Sequence, residues 1–139
     1  MTQTLITAIA LFALSATVSA EDSFRIYAPS RTADALIVVD AAPSEGGLTL
    51  RIAQRVELGF PAATITAHPS KPLLYVASPH TGEKETLGAV VTLNDQGEYA
   101  SHRQVTLQHG YSYLSVDRAG KFLLGANYSD GQVDVYSHP

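Results

Sequence analysis

Moved along by about 49 positions, the chain lies on itself: TITAHPSKPLLYVAS (Thr64–Ser78) falls without a gap over YLSVDRAGKFLLGAN (Tyr113–Asn127). Few residues are identical, but their classes agree. Each copy reads as an apolar strand, a polar turn, and a second apolar strand ending in Ala and a small polar residue. The same shift lays Val56-Glu57-Leu58 over Val105-Thr106-Leu107. A nearly equal step back puts IYAPS (Ile26–Ser30) under LYVAS (Leu74–Ser78). A repeat of this kind restricts the fold to a row or ring of like units.

The units are β. Beyond the first twenty or so residues no helical period is visible, and short β-branched or aromatic runs alternate with Gly, Pro, Asn and Asp. Strands are expected at Arg25–Ala28, Ala35–Asp40, Leu48–Leu58, Ala63–Ala67, Leu73–Ala77, Ala89–Leu93, Tyr99–Leu107, Tyr113–Val116, Phe122–Ala126 and Gln132–Tyr136. The intervening Pro43–Gly47, Asn94–Gly97, Asp117–Gly120 and Ser129–Gly131 carry residues that accept tight or left-handed backbone.

A four-stranded unit of about 40 to 50 residues has the size of one β-propeller blade. The expected fold class is therefore all-β, built from antiparallel blades of four strands. Residues 63–107 supply one complete blade, 25–58 lack its inner strand and 114–136 lack its outer one, about two and a half blades in all. An antiparallel sandwich of about ten strands is the alternative, but it would require no constant step between segments.

The first twenty residues have a different character. LITAIALFALSATV (Leu5–Val18) is uncharged and mostly apolar, Val18-Ser19-Ala20 offers small residues for a signal peptidase, and Glu21-Asp22 opens a polar chain. The run falls short of the roughly 20 apolar residues of a membrane span. It is read as a bacterial signal peptide over residues 1–20, with cleavage after Ala20, a periplasmic or secreted product and no stable membrane span. An uncleaved anchor or buried first helix is the alternative, since MTQT holds no Lys or Arg. The chain has no cysteine, which excludes disulfides, thiolate nucleophiles and Cys-based metal sites. A net charge of −4 without a basic cluster excludes nucleic acid as an expected partner.

LSVDRAGKFLLGANYSDGQVDVY (Leu114–Tyr136) resembles the blade motif of the seven-bladed β-propeller lactonases, the 6-phosphogluconolactonase-type family. The resemblance rests on Asp117, Gly120, Lys121, Phe122, Leu123, Ala126, Asn127, Tyr128 and Gly131. Gly47-Leu48-Thr49-Leu50 and His68–Val76 look like two further family segments. There are departures: Tyr113 stands where the family often has His, and Ser70-Lys71 where other blades have Asp-Gly. The resemblance implies that residues 21–139 are a partial propeller of a lactone hydrolase in carbohydrate metabolism. Its ligand would be a small lactone or sugar-type molecule, and no cofactor would be needed. A non-catalytic periplasmic propeller serving as a binding or scaffold module is the alternative. The chain is expected to be a fragment, inactive alone and self-associating through uncovered blade edges.

Lactone hydrolysis needs a base to activate water and a donor for the developing oxyanion. The histidines His68, His80, His102, His109 and His138 show no spacing of a metal site or catalytic pair, so no metal is expected and the catalytic residues stay unassigned. His68, in a turn before Pro69, reads as a solvated turn residue. The candidate substrate-binding residues are His109, Tyr111, Tyr113, Asn127 and Tyr128, on the connections of the last unit. For the tyrosines, packing between neighbouring blades is the competing reading.

Overall fold

A computed structural model describes residues 23–79 and 85–137. The expected signal peptide lies outside the described residues, as do His80 and His138. The strands are β1 (Phe24–Ser30), β2 (Ala35–Ser44), β3 (Gly47–Glu57), β4 (Thr64–Ala67), β5 (Leu73–Ala77), β6 (Thr86–Leu93), β7 (Tyr99–Leu107), β8 (Tyr113–Val116), β9 (Phe122–Asn127) and β10 (Gln132–Ser137). All ten expected strands are present, and no helix occurs among the described residues.

They form three antiparallel meanders, β1-β2-β3, β4-β5-β6-β7 and β8-β9-β10. These are sheets 1, 2 and 3 below. The repeat is visible at the level of single hydrogen bonds. The Ala63 amide donates to the Ala77 carbonyl and the His68 amide to Leu73, both at 2.9 Å. Ser112 to Ala126 and Asp117 to Phe122, at 2.9 and 3.0 Å, are the same two bonds moved by 49 positions. The pairing register moves with them, Thr64 opposite Ala77 becoming Tyr113 opposite Ala126.

Several strand boundaries move by one to four residues from the sequence reading, the furthest at the end of β2. Pro43, Ser44 and Gly47 belong to strands, and the reversal is confined to Glu45-Gly46, with Gly46 at φ +91°. Proline is tolerated there because β1 ends opposite Ala41, so at Pro43 the β1 side of β2 has no strand to require an N–H.

Successive side chains of a strand point to opposite faces, and both faces of sheet 2 are covered. On β5, Leu74 and Val76 join Leu36, Val56, Leu58 and Phe60 in a core against sheet 1. Tyr75 and Ala77, from the same strand, pack with Tyr111 and Leu114 against sheet 3. The inner strands β4 and β8 lie side by side, so the sheets are stacked face to face about a common inner edge. Polar bonds cross both junctions: between sheets 1 and 2, Tyr27 Oη donates to the Gly97 carbonyl, Arg25 Nη1 to Gln96 O at 3.0 Å and Gln104 Nε2 to Leu58 O at 2.5 Å, and between sheets 2 and 3, His68 Nε2 lies 3.2 Å from Gly120 O.

Candidate functional site

The connection between β7 and β8 passes over the junction of sheets 2 and 3, and it carries His109 and Tyr111. Tyr111 enters that junction because Gly125, on β9, has no side chain. A Cβ on Gly125 would stand 2.7 Å from the Tyr111 ring carbons. The ring therefore occupies the space over Gly125 and is 1% exposed. Asp134 is the partner of Gly125 on β10, and Tyr136 lies two residues further on the same face. The ring of Tyr111 meets that of Tyr136 edge-on, with centroids 6.3 Å apart.

The polar ends of these residues form one directed chain. Asp134 Oδ2 accepts from Tyr111 Oη at 2.5 Å and lies 2.6 Å from His109 Nδ1. The Gln108 amide donates to Tyr136 Oη at 3.1 Å, and the two tyrosine oxygens are 2.5 Å apart. Since the Tyr111 proton goes to Asp134, the proton between the tyrosines comes from Tyr136. Every proton in the chain then points towards the carboxylate, and His109 must carry its own proton on Nδ1.

The charges agree with this direction. Burial acts to raise the Asp134 pKa, but the hydrogen bonds from His109 and Tyr111 outweigh it and hold the carboxyl below the usual carboxylate range. Burial, aided by the adjoining Asp134, pushes the Tyr111 hydroxyl far above its ordinary value. The His109 side chain is 30% exposed and that of Asp134 is 14% exposed. The arrangement is thus a carboxylate-held imidazole with solvent access, backed by two tyrosines. On the other side of Tyr136, an apolar cleft of about 150 Å³ opens between sheets 2 and 3, lined in part by Tyr75, Val90, Val105, Leu107 and Leu123.

Of the expected site residues, the fold brings His109 and Tyr111 together and sets the others apart. Asn127 is buried and closes its own hairpin, donating to Asp130 Oδ2 at 2.6 Å and accepting from the Asp130 amide at 3.2 Å. Tyr113 and Tyr128 are 65% and 88% exposed, outside the hydrogen-bonded group. Asp134 and Tyr136 were missed. Their signal was an aspartate flanked by valines within a strand, where aspartate is depleted unless its carboxylate has partners.

His68 corrects the sequence reading. It is 6% exposed, not solvated. Its Nδ1 accepts from the Ser70 and Lys71 amides at 3.1 and 2.9 Å, and its Nε2 lies 3.2 Å from the Gly120 carbonyl of sheet 3. The imidazole is drawn inward because it serves both its own turn and the next sheet.

Consecutive antiparallel meanders in constant register, stacked about an inner strand and with both faces of the middle sheet buried by its neighbours, define a β-propeller, and each sheet is a blade or part of one. The chain belongs to the lactonase family of seven-bladed β-propellers, which matches residues 59–139. The match spans all of sheets 2 and 3, while Gly47–Leu50 of sheet 1 lies before it. No curated protein matches the chain.

Proposed function

We propose that this propeller serves the hydrolysis of a sugar lactone, of the 6-phosphogluconolactonase type, in carbohydrate metabolism outside the cytoplasm. The observation that carries the reading is the lactonase match over residues 59–139, within which the His109–Asp134 pair lies. Export rests on the apolar leader before Glu21. The reaction adds water to the lactone carbonyl and opens the ring to a hydroxy acid, which requires a base and no cofactor.

The test is a comparison of exported fractions from cells with the gene in its natural context and from cells lacking it. Hydrolysis of glucono-lactones, phosphorylated and not, is followed by proton release. The reading requires faster ring opening with the gene present. Equal rates in the two fractions would exclude it.

A second reading, a non-catalytic propeller that binds sugar-type ligands, is favoured by the exposed rings of Tyr113 and Tyr128, since aromatic faces pack against the apolar faces of sugar rings. Ligand binding without turnover in the same fractions would select it. Self-association belongs to either reading and is supported by exposed apolar side chains on the outer faces of sheets 1 and 3.

A further inference from the structure

The geometry points to His109 as a general base for acyl hydrolysis, with Asp134 as the residue that positions it. This rests on the lactone-hydrolysis reading for its natural substrate. The chemistry itself extends to any accessible ester. Asp134 Oδ2 takes hydrogen bonds from Tyr111 Oη at 2.5 Å and from His109 Nδ1 at 2.6 Å. Tyr111 is in turn fed by Tyr136 and Tyr136 by the Gln108 amide, so the carboxylate has no proton to give and the imidazole must donate. A neutral imidazole with its proton on Nδ1 leaves the Nε2 lone pair as its basic site. Among the described residues Nε2 has no hydrogen-bond partner, and the side chain is partly open to solvent.

The contrast with His68 is informative. There Nδ1 is the acceptor for two amides and Nε2 faces a carbonyl, so both nitrogens are committed to backbone. His102 has its Nδ1 against Tyr99 Oη at 3.0 Å, without a carboxylate. His109, by contrast, has its Nδ1 held by a carboxylate, the arrangement that keeps a base in the correct tautomer and stabilises the imidazolium formed on proton uptake.

In the step, a water oxygen adds to the acyl carbonyl carbon while Nε2 takes one water proton, giving a tetrahedral oxyanion and an imidazolium held by Asp134. The oxyanion re-forms the carbonyl and breaks the bond to the ring or alkoxy oxygen. Nε2 returns the proton to that leaving oxygen. One water is consumed, an acid and an alcohol function are produced, and His109 ends neutral.

The test uses the full chain, with p-nitrophenyl acetate as probe and ¹⁵N-labelled protein to read the histidine tautomers. The expected results are a His109 signal with the proton on Nδ1, and ester hydrolysis that falls roughly 100-fold in His109→Gln. Asp134→Asn should lower the rate while mixing the tautomer, since an amide no longer demands an N–H from His109. A wild-type His109 with its proton on Nε2 would overturn the inference. So would an ester rate unchanged in His109→Gln, a readout that holds even if Asp134→Asn unfolds. His109-dependent ester hydrolysis without sugar-lactone turnover would count against the substrate reading alone.

Discussion

His68 reaches from the turn of one blade to the turn of the next, placing Nε2 3.2 Å from the carbonyl oxygen of Gly120. The repeat puts His68 where the following blade has Asp117. Asp117 closes its turn with its carboxylate, accepting from the Ala119, Lys121 and Phe122 amides at 3.0, 2.6 and 2.7 Å. His68 does the equivalent work with Nδ1, and its longer ring leaves a second nitrogen to hold the neighbouring blade.

Gly120 is the other half of that contact and should not tolerate a side chain. Its φ of +70° is left-handed, and a Cβ would stand 2.5 Å from His68 Cε1 and Nε2. Backbone strain of about 1–2 kcal/mol and displacement of the ring act together. Gly120→Ala should lose about 2–4 kcal/mol in urea unfolding. A loss no larger than that of Gly131→Ala, where φ is +64° but no atom lies within 4 Å of the added Cβ, would show that the ring contact contributes nothing.

The two nitrogens of His68 can be separated by substitution. In Asn the amide oxygen reaches the place of Nδ1, and in Gln the terminal amide reaches the place of Nε2. His68→Ala should cost about 2 kcal/mol, with Asn recovering the turn and Gln the inter-blade bond, each in part. Amide exchange at Ser70 and Lys71 reads the turn directly, with slow exchange expected in the Asn variant and fast exchange in the Ala and Gln variants. Equal exchange in all of them would contradict the assigned roles.

The position of His68 also shows what could be read from sequence. Strand alternation and Gly-containing turns made the blades legible, because each unit buries its faces locally and the register recurs with the repeat. His68 in its turn before Pro69 looked solvent-bound, since nothing local announces that Gly120, 52 residues later, lies beside it. Asp134 was hidden for the same reason. Its partners His109 and Tyr111 come from a connection 25 and 23 residues earlier, and only the stacking of blades brings them together. Tyr111 could be nominated because it sits in that connection. That its ring fills the space over Gly125 depends on the packing.

The Asp134 cluster should leave its mark on stability at both ends of the pH scale. The folded-state pKa of Asp134 is depressed, so its contribution is present above the ordinary value of about 3.9 and is lost as pH falls through the lower folded value. Tyr111 has the opposite sign. Its folded pKa is raised, so its contribution is present below the ordinary value of about 10 and is lost as pH rises above it. Asp134→Asn should be less stable at neutral pH but flatten the acid limb of a melting-temperature profile, and Tyr111→Phe should flatten the alkaline limb. Neither limb should vanish, since Asp40 and Asp117 are also depressed and Tyr27 and Tyr75 also raised. Profiles parallel to wild type would remove the cluster from the pH response.

The outer face of sheet 3 sets the last expectation. Alternation along β8, β9 and β10 points Leu114, Leu123 and Tyr136 towards sheet 2, and leaves Tyr113, Phe122, Val133 and Val135 exposed on the other side. No strand pairs with the outer edge of β10 among the described residues, so apolar side chains and free backbone groups lie together. Sheet 1 has a comparable surface at Leu48, Leu50 and Ile52. Lysines at Val133 and Val135 would charge an edge that could otherwise accept a strand from a second copy. The double variant should shift the protein towards monomer in light scattering while its melting temperature stays close to wild type, because both side chains are already in water. If association survives there but is lost with Leu50→Lys and Ile52→Lys, the interface belongs to sheet 1. If it survives both pairs of substitutions, the exposed faces are not what joins the copies.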